Sequence, residues 1–238
     1  ADLTELVAEL GEDGTETVLL YHVLGAAVES GDVVDGFANT LSGFAIALDA
    51  DGGVSVNQAD VVAADIRGTN GVIHAIDAVI TPSTIGELVA WSGATSTLAA
   101  VATRADADAS NPGIIAALSN AESELTLFAP DNAAFAAFLR ALSIVPSTVE
   151  SLFTTLQPPS LIITVLTSHV TTGVATSDVV VGLEEATMLS GVTLPVDADD
   201  LTLGGARLNA DGLDFLGTNG VIHLLRDVID PRPFIATP

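Results

Sequence analysis

The chain has 238 residues, 49% of them apolar, with no cysteine and no lysine; 31 acidic side chains face 6 arginines, for a formal charge of −25. The missing cysteine excludes disulfides, thiolate catalysis and cysteine-based zinc sites, while the charge repels nucleic-acid phosphates and anionic membrane surfaces. No apolar run reaches the ~20 residues that insert into a membrane, and so acidic a surface suits a saline or cation-rich medium that screens its self-repulsion.

No basic-then-apolar leader opens the chain, so a secretion signal is expected to have been removed or left out. Leu3, Leu6, Val7 and Leu10 recur at helical spacing and predict a helical stretch over Asp2–Leu24, broken between Gly11 and Gly14. From Asp32 to Pro82 the texture is short β-like runs: Phe44–Leu48, Val54–Val56, Val61–Ile66 and Val72–Ile80, with Asp49–Gly53 as a hairpin turn. Thr84 opens a helical region with Leu88, Trp91, Leu98 and Val101 on its apolar face, followed by a polar loop over Asp106–Gly113 and a short helix carrying Ile114, Ile115 and Leu118. Leu125–Phe128 reads as a strand closed by Pro130, and Asp131 as the N-cap of a helix that places Phe135, Phe138, Leu139 and Leu142 on one face. Ser147 to Glu150 has the pattern of a capping box for the next helix, and Ser160–His169 gives another. The β texture returns from Val179 to Ile229, where Pro231 stops it. Helices first and strands later, twice over, predict an α+β fold with helices gathered at one side of a mainly antiparallel sheet system. The boundary falls near Pro82–Thr84.

The hexapeptide Thr-Asn-Gly-Val-Ile-His occurs at Thr69–His74 and again at Thr218–His223, 149 residues later, and ten of the fifteen positions in 68–82 match those in 217–231. The chain is therefore a duplication. A duplicated module without a reactive constellation points to a binding or building unit.

His74 and His223 lie on strands among Val and Ile, which predicts buried rings with hydrogen-bonded nitrogens. Asn70 and Asn219, each followed by glycine, make the turn before the strand. His22 and His169 end helical stretches, where a partly charged imidazole would meet the negative end of the helix dipole. The pairs Asp49/Asp51, Asp106/Asp108 and Asp197 with Asp199 and Asp200 lack the twelve-residue spread and terminal Glu of an EF-hand, so solvated turns are expected and no metal site. No nucleophile elbow, phosphate loop or His-Glu-x-x-His is present, so no catalytic residue and no cofactor is expected. A Ser–His–Asp triad would meet only in space. One Trp and one Tyr give no stacking platform for sugars or bases.

These segments resemble the fasciclin I (FAS1) domain family. The closing signature, a Thr-Asn-Gly-Val-Ile-His strand running to a proline, is found at Thr69–Pro82 and Thr218–Pro231. The opening signature, a strand into a capped helix, is found once, as Thr126-Leu-Phe-Ala-Pro-Asp-Asn-Ala-Ala-Phe135 with Pro130, Asp131 and Asn132. The family's Tyr-His pair is matched by Tyr21-His22, and by Ser168-His169 without the tyrosine. The resemblance implies tandem FAS1-like domains, each an antiparallel-rich β-sandwich or wedge with helices at one side: a partial one over 1–82 and a complete one over 83–238. It implies a secreted or cell-surface protein, non-catalytic, binding proteins or polysaccharides in adhesion or a matrix. Tyr21, His22 and His169 become candidate contact residues. The first copy begins past the opening signature. An excerpt of a longer protein, trimming, or completion by another chain in a filament or layer would each account for that, the last with the tail around Phe234 and Ile235 as a short donor. A hydrolase on this scaffold is the rival from another class.

Overall fold

The computed structural model describes residues 3–107, 113–144, 148–156, 158 and 160–235, and for residues 3–9 the backbone alone. Helix α1 (Leu3–Tyr21) is two helices joined across Gly11, whose φ of 69° and ψ of −174° suit only glycine and produce the expected break. Asp2, and the side chains of Leu3, Leu6 and Val7, lie outside the described set.

Five strands follow, β1 (Gly36–Asn39), β2 (Ala45–Asp49), β3 (Ser55–Val56), β4 (Ala59–Arg67) and β5 (Val72–Ile76), paired antiparallel in chain order. The β2–β3 turn is held by the Asp49 carboxylate, which accepts the Asp51 N–H at 2.8 Å. The last strand was expected to reach Ile80 but stops at Ile76. There Asp77 turns the chain, its N–H donating to the Asp60 carbonyl at 3.1 Å and its carboxylate accepting the Asp60 N–H at 2.9 Å. β5 ends its sheet, and no strand lies along its outer edge among the described residues.

The helical region after Pro82 is α2 (Ile85–Trp91), α3 (Ser96–Asp106) and α4 (Ile114–Leu118), with a 3-10 turn at Gly93–Thr95 breaking what the apolar pattern had run together. Then come β6 (Leu125–Pro130), α5 (Asn132–Ala141), α6 (Val149–Thr155), α7 (Ser160–Thr167), β7 (Val170–Thr172), α8 (Ser177–Val180), β8 (Glu185–Thr187), β9 (Thr193–Asp197), β10 (Thr202–Leu203), β11 (Ala206–Arg207), β12 (Phe215–Gly217) and β13 (Gly220–Leu225). Val179 and Val180 thus belong to a helical turn, not to the β region the sequence placed them in. The caps are local chemistry. Thr84 and Glu87 close a capping box on α2, and Asp131 accepts the Ala134 N–H at 2.7 Å on α5. For α6 the cap is Thr148, accepting the Ser151 N–H at 3.1 Å, one residue later than expected; Ser147 lies outside the described residues.

The second half of the chain carries an antiparallel sheet, β11-β10-β9-β8, and a mixed sheet, β12-β13-β6-β7. β6 and β13 pair in parallel, from Gly220 opposite Leu125 to Leu225 opposite Pro130. The main core lies between helices α2–α7 and one face of the mixed sheet, around Leu88, Leu127, Ile162 and Ile222. A second core joins the two sheets through Phe128, Leu194, Leu203, Leu225 and Ile229. The stretch before Pro82 has a small core of its own, with Tyr21, Ile46, Ala59 and Ile80 as its buried residues. It leans on the rest: Ala45 and Ala47 of β2 are fully buried within the main core, their missing bulk letting β2 lie against α2. Phe37 stacks at 5.2 Å from Phe215, and the Ser92 hydroxyl donates to the Gly36 carbonyl at 3.0 Å.

Candidate functional site

Tyr21 is wholly buried at the joint between the two halves. Its hydroxyl donates to the Ala45 carbonyl at 2.7 Å and accepts from the Asn57 amide at 2.9 Å. Burial pushes the phenol above its ordinary value, with hydrogen bonds from Asn57 and Ser83 working against that. Asn57 in turn accepts the Ala47 N–H at 2.8 Å. Tyr21 is therefore closed to a partner, and so is His169, buried in the core. Of the three residues nominated for contact, His22 alone is exposed. His169 also corrects the dipole expectation: burial holds its pKa down at about 4, so the ring is neutral.

Both rings of this pair bond the backbone in the same way. Nδ1 of His22 faces the Val18 carbonyl at 2.7 Å, and Nδ1 of His169 the Val165 carbonyl at 2.7 Å, which assigns the proton to Nδ1. Nε2 then accepts a backbone N–H from far along the chain, Ile80 at 3.4 Å for His22 and Ile229 at 2.9 Å for His169. Each ring ties the end of a helix to the segment that follows the closing strand.

His74 and His223 are wired in the opposite tautomer. Nε2 donates to a carbonyl, Val28 at 2.8 Å and Ala175 at 2.8 Å. Nδ1 accepts the N–H of Asp65 at 3.4 Å and of Asp214 at 3.2 Å. These two aspartates hold left-handed backbone, φ 59° and 61°, which Asp tolerates better than most residues. Their carboxylates clasp a serine: Asp65 accepts from Ser30 N–H at 2.8 Å and Oγ at 2.6 Å, and Asp214 from Ser177 N–H at 2.7 Å and Oγ at 2.5 Å. The Ser30 bonds hold the Asp65 carboxyl below its usual range, and burial lowers His223, against its Ala175 bond and the Asp214 charge.

Serine, aspartate and histidine thus meet twice, but in the wrong order for a nucleophile. A triad needs the serine hydroxyl on His Nε2 and the carboxylate on Nδ1–H. Here the hydroxyl is on the carboxylate and Nε2 is on a peptide carbonyl. Sequence reasoning missed Ser30, Ser177, Asp65 and Asp214. The signal was available, since all four recur between the copies within two residues of the same offset.

Asn219 is buried. Its side-chain oxygen accepts the Ile85 N–H at 2.8 Å, and its amide donates to Leu118 and Asn120 carbonyls at 2.8 and 3.0 Å, so it fastens the start of α2 and the end of α4 to β13. Asn70, in the same hexapeptide, is exposed and makes no side-chain hydrogen bond among the described residues. Pro130 is buried at the end of β6. Asn132 caps the neighbouring helix, accepting the Thr97 N–H at 2.9 Å and donating to the Gly93 carbonyl at 2.7 Å.

One carboxylate of each set is spent on backbone, Asp49 in the turn already described. Asp197 accepts the N–H groups of Asp199 and Asp200 at 3.0 and 3.1 Å, and Asp106 caps α4 through Ile114 and Ile115 at 3.1 and 3.2 Å. Asp108 lies outside the described residues. Among the described residues no three metal-ligating side chains converge, and no helix is long and apolar enough to cross a membrane. A cavity of about 60 Å³ between α2, α3, α4 and β6 is lined by Val89, Leu98, Ala102, Leu118 and Leu127; it also touches His169, whose nitrogens are both engaged.

The Fasciclin domain family model matches residues 2–82 and 96–231. The chain is 30% identical over 221 residues to transforming growth factor-beta-induced protein ig-h3 of Sus scrofa, which covers 90% of this chain and 30% of that protein. It is 28% identical over 210 residues to human periostin, covering 86% of this chain and 23% of periostin. It spans less than a third of either relative. In fold it is similar to a FAS1 domain pair from the insect cell adhesion molecule fasciclin I, with a TM-score of 0.60 at 16% identity, over 98% of this chain and 86% of that one. A twice-used strand-and-histidine closure, an antiparallel-rich α+β fold and a family match over most of the chain lead to one assignment: this chain belongs to the fasciclin domain family.

Proposed function

We propose that the chain is an adhesion or matrix-binding module, secreted or held at a cell surface, acting without catalysis on protein or polysaccharide partners. Residues 1–82 are read as a partial FAS1 domain and 83–238 as a complete one. One observation carries the non-catalytic reading: all four imidazoles have both ring nitrogens bonded to backbone groups, leaving none aimed at a nucleophile. The fold likeness to an adhesion molecule's domain pair supports the adhesion reading. Recognition then falls to surface loops on a rigid scaffold. His22 is the contact candidate that reaches solvent.

Immobilised full chain should retain matrix proteins or neutral polysaccharides in a saturable manner, and His22→Ala should weaken that retention under conditions where circular dichroism shows the variant folded, since the ring also bonds Val18 and Ile80. Hydrolysis of ester or glycosidic substrates that disappears in a folded His223→Gln variant would overturn the reading. Self-assembly into a filament is the weaker alternative. The chain's own strand of the needed kind, Leu125–Pro130, is already engaged by β13. The described tail offers Phe234 and Ile235 after a 3-10 turn.

A further inference from the structure

Helices α2, α3 and α4 surround a space that their side chains do not fill. The cavity between them and β6 measures about 60 Å³. Val89, Leu98, Leu118, Leu127 and Leu166 wall it on the inside. Exposed Ala90 and Thr103, with half-buried Ala99 and Ile115, form its mouth. Every lining residue lies between Gly86 and Val170, so the cavity is internal to the second half and owes nothing to either end of the chain. Small residues make it: Gly86 and Ala90 are one turn apart on α2, and Ala99, Ala102 and Thr103 share a face of α3.

Polar ties keep the helices from closing it. Asn219 fastens the start of α2 to the end of α4. Asp106, at the end of α3, caps α4 through the Ile114 and Ile115 N–H groups. At Gly86 the helices already touch, since a side-chain carbon there would come within 2.9 Å of the Leu118 carbonyl carbon. α4 therefore cannot slide inward, and the space is preformed. Its lining offers water little: Thr103 donates its hydroxyl to the Ala99 carbonyl at 2.8 Å and both His169 nitrogens are engaged, whereas a buried water needs about two to four polar partners.

We propose that this cavity binds the end of an aliphatic chain whose head group is not anionic. Size sets the tail. Benzene occupies an apolar cavity of about 150 Å³, so an aromatic ring is excluded here and about two to three carbons of an open chain fit inside. The rest of the ligand lies across Ala90, Ala99 and Ile115. The surroundings set the head. The Asp106 carboxylate is bonded to the backbone of Ile115 at the mouth, on a chain of formal charge −25. That field repels a carboxylate or phosphate and admits an alcohol or an ammonium. Burial of the terminal methylenes supplies the affinity.

The test is methyl NMR of the whole chain at low ionic strength, titrated separately with hexan-1-ol, hexylammonium and hexanoate. The alcohol and the ammonium should shift the methyls of Val89, Leu98, Leu118 and Leu127 to a plateau at one ligand per chain, and the Kd of hexanoate should be at least about tenfold higher. Ala99→Leu puts a side chain into the mouth and should weaken hexan-1-ol binding at least about tenfold in a chain that stays folded. Ala90→Leu, at an exposed position, serves the same purpose where Ala99→Leu lowers the melting temperature. Shifts that spread over the surface without a plateau, or that persist undiminished in the folded variants, overturn the site. Hexanoate binding as tightly as the alcohol overturns the head-group assignment. A response of the same methyls to pressurised xenon but to no alkyl ligand shows a closed void, and overturns the proposal as surely as no response to either.

Discussion

Four histidines act here as backbone staples. Each has one nitrogen on a carbonyl and the other on an N–H, and in His169 and His223, whose pKa burial lowers, a second proton would set donor against donor. The consequence is a pH dependence whose sign follows from linkage. For His169 the folded value is about 4 against an ordinary 6.5. Above pH 6.5 neither state binds the proton and stability is complete. Between 6.5 and 4 the unfolded chain protonates first, so stability falls as the pH falls, by about 3 kcal/mol for this residue once both states are titrated. His223, also lowered by burial, adds in the same direction. Urea midpoints should be flat above about pH 7 and decline steadily below, and His169→Gln should flatten the decline. The asparagines give a second residue-scale test. Asn219→Ala strands a buried amide and two carbonyls and should cost about 2–4 kcal/mol, whereas Asn70→Ala should stay within about 0.5 kcal/mol. Sequence placed all of these residues on the right elements, because repetition and apolar alternation are local signals. It could not tell Asn70 from Asn219. Their difference lies in Ile85, Leu118 and Asn120, far away along the chain.

Elements were legible where their chemistry is local. The break at Gly11, the Asp49 turn, the strand at Leu125–Pro130 and the Asp131 cap all follow from residues a few positions apart. Asp131→Ala should lower stability by about 1 kcal/mol, seen as a shift in urea midpoint with unchanged slope. What was misread was set by partners elsewhere. The strand after His74 ends early because Asp77 finds Asp60, and α2 and α3 divide where the 3-10 turn meets the β1–β2 face. The parallel pairing of β6 with β13 was also invisible, since alternation reveals a strand but not its neighbour. Its signature is steric. Gly220→Ala drives a methyl into the Leu125 carbonyl, and should cost at least about 3 kcal/mol in thermal or urea unfolding.

At the scale of the molecule the charge of −25 and the buried joint between the halves act together. Of the six arginines, Arg67, Arg104, Arg207 and Arg232 already pair with carboxylates, so little cation remains to offset the rest. Raising NaCl from about 0.1 M to about 1 M shrinks the Debye length from about 10 Å to about 3 Å. The melting temperature should rise by about 2–8 °C, as for a gain of about 1–2 kcal/mol in a chain of this size. If it falls instead, the acidic surface is not under repulsive stress.

The way the chain passes through its second half sets how it would carry tension. The incoming segment is fastened at once to the head of β13: the Ser83 carbonyl accepts the Thr218 N–H at 2.9 Å, and the Ile85 N–H sits on Asn219. The outgoing segment leaves from the tail of that same strand, past Ile229 and Pro231. A pull on both ends therefore travels along one short cable, from Ser83 through β13 to Pro231, and the helices hang beside it unloaded. Two hydrogen bonds at its head form the coupling, and slipping them would release slack from α2 onward while the wedge of sheets behind stays closed.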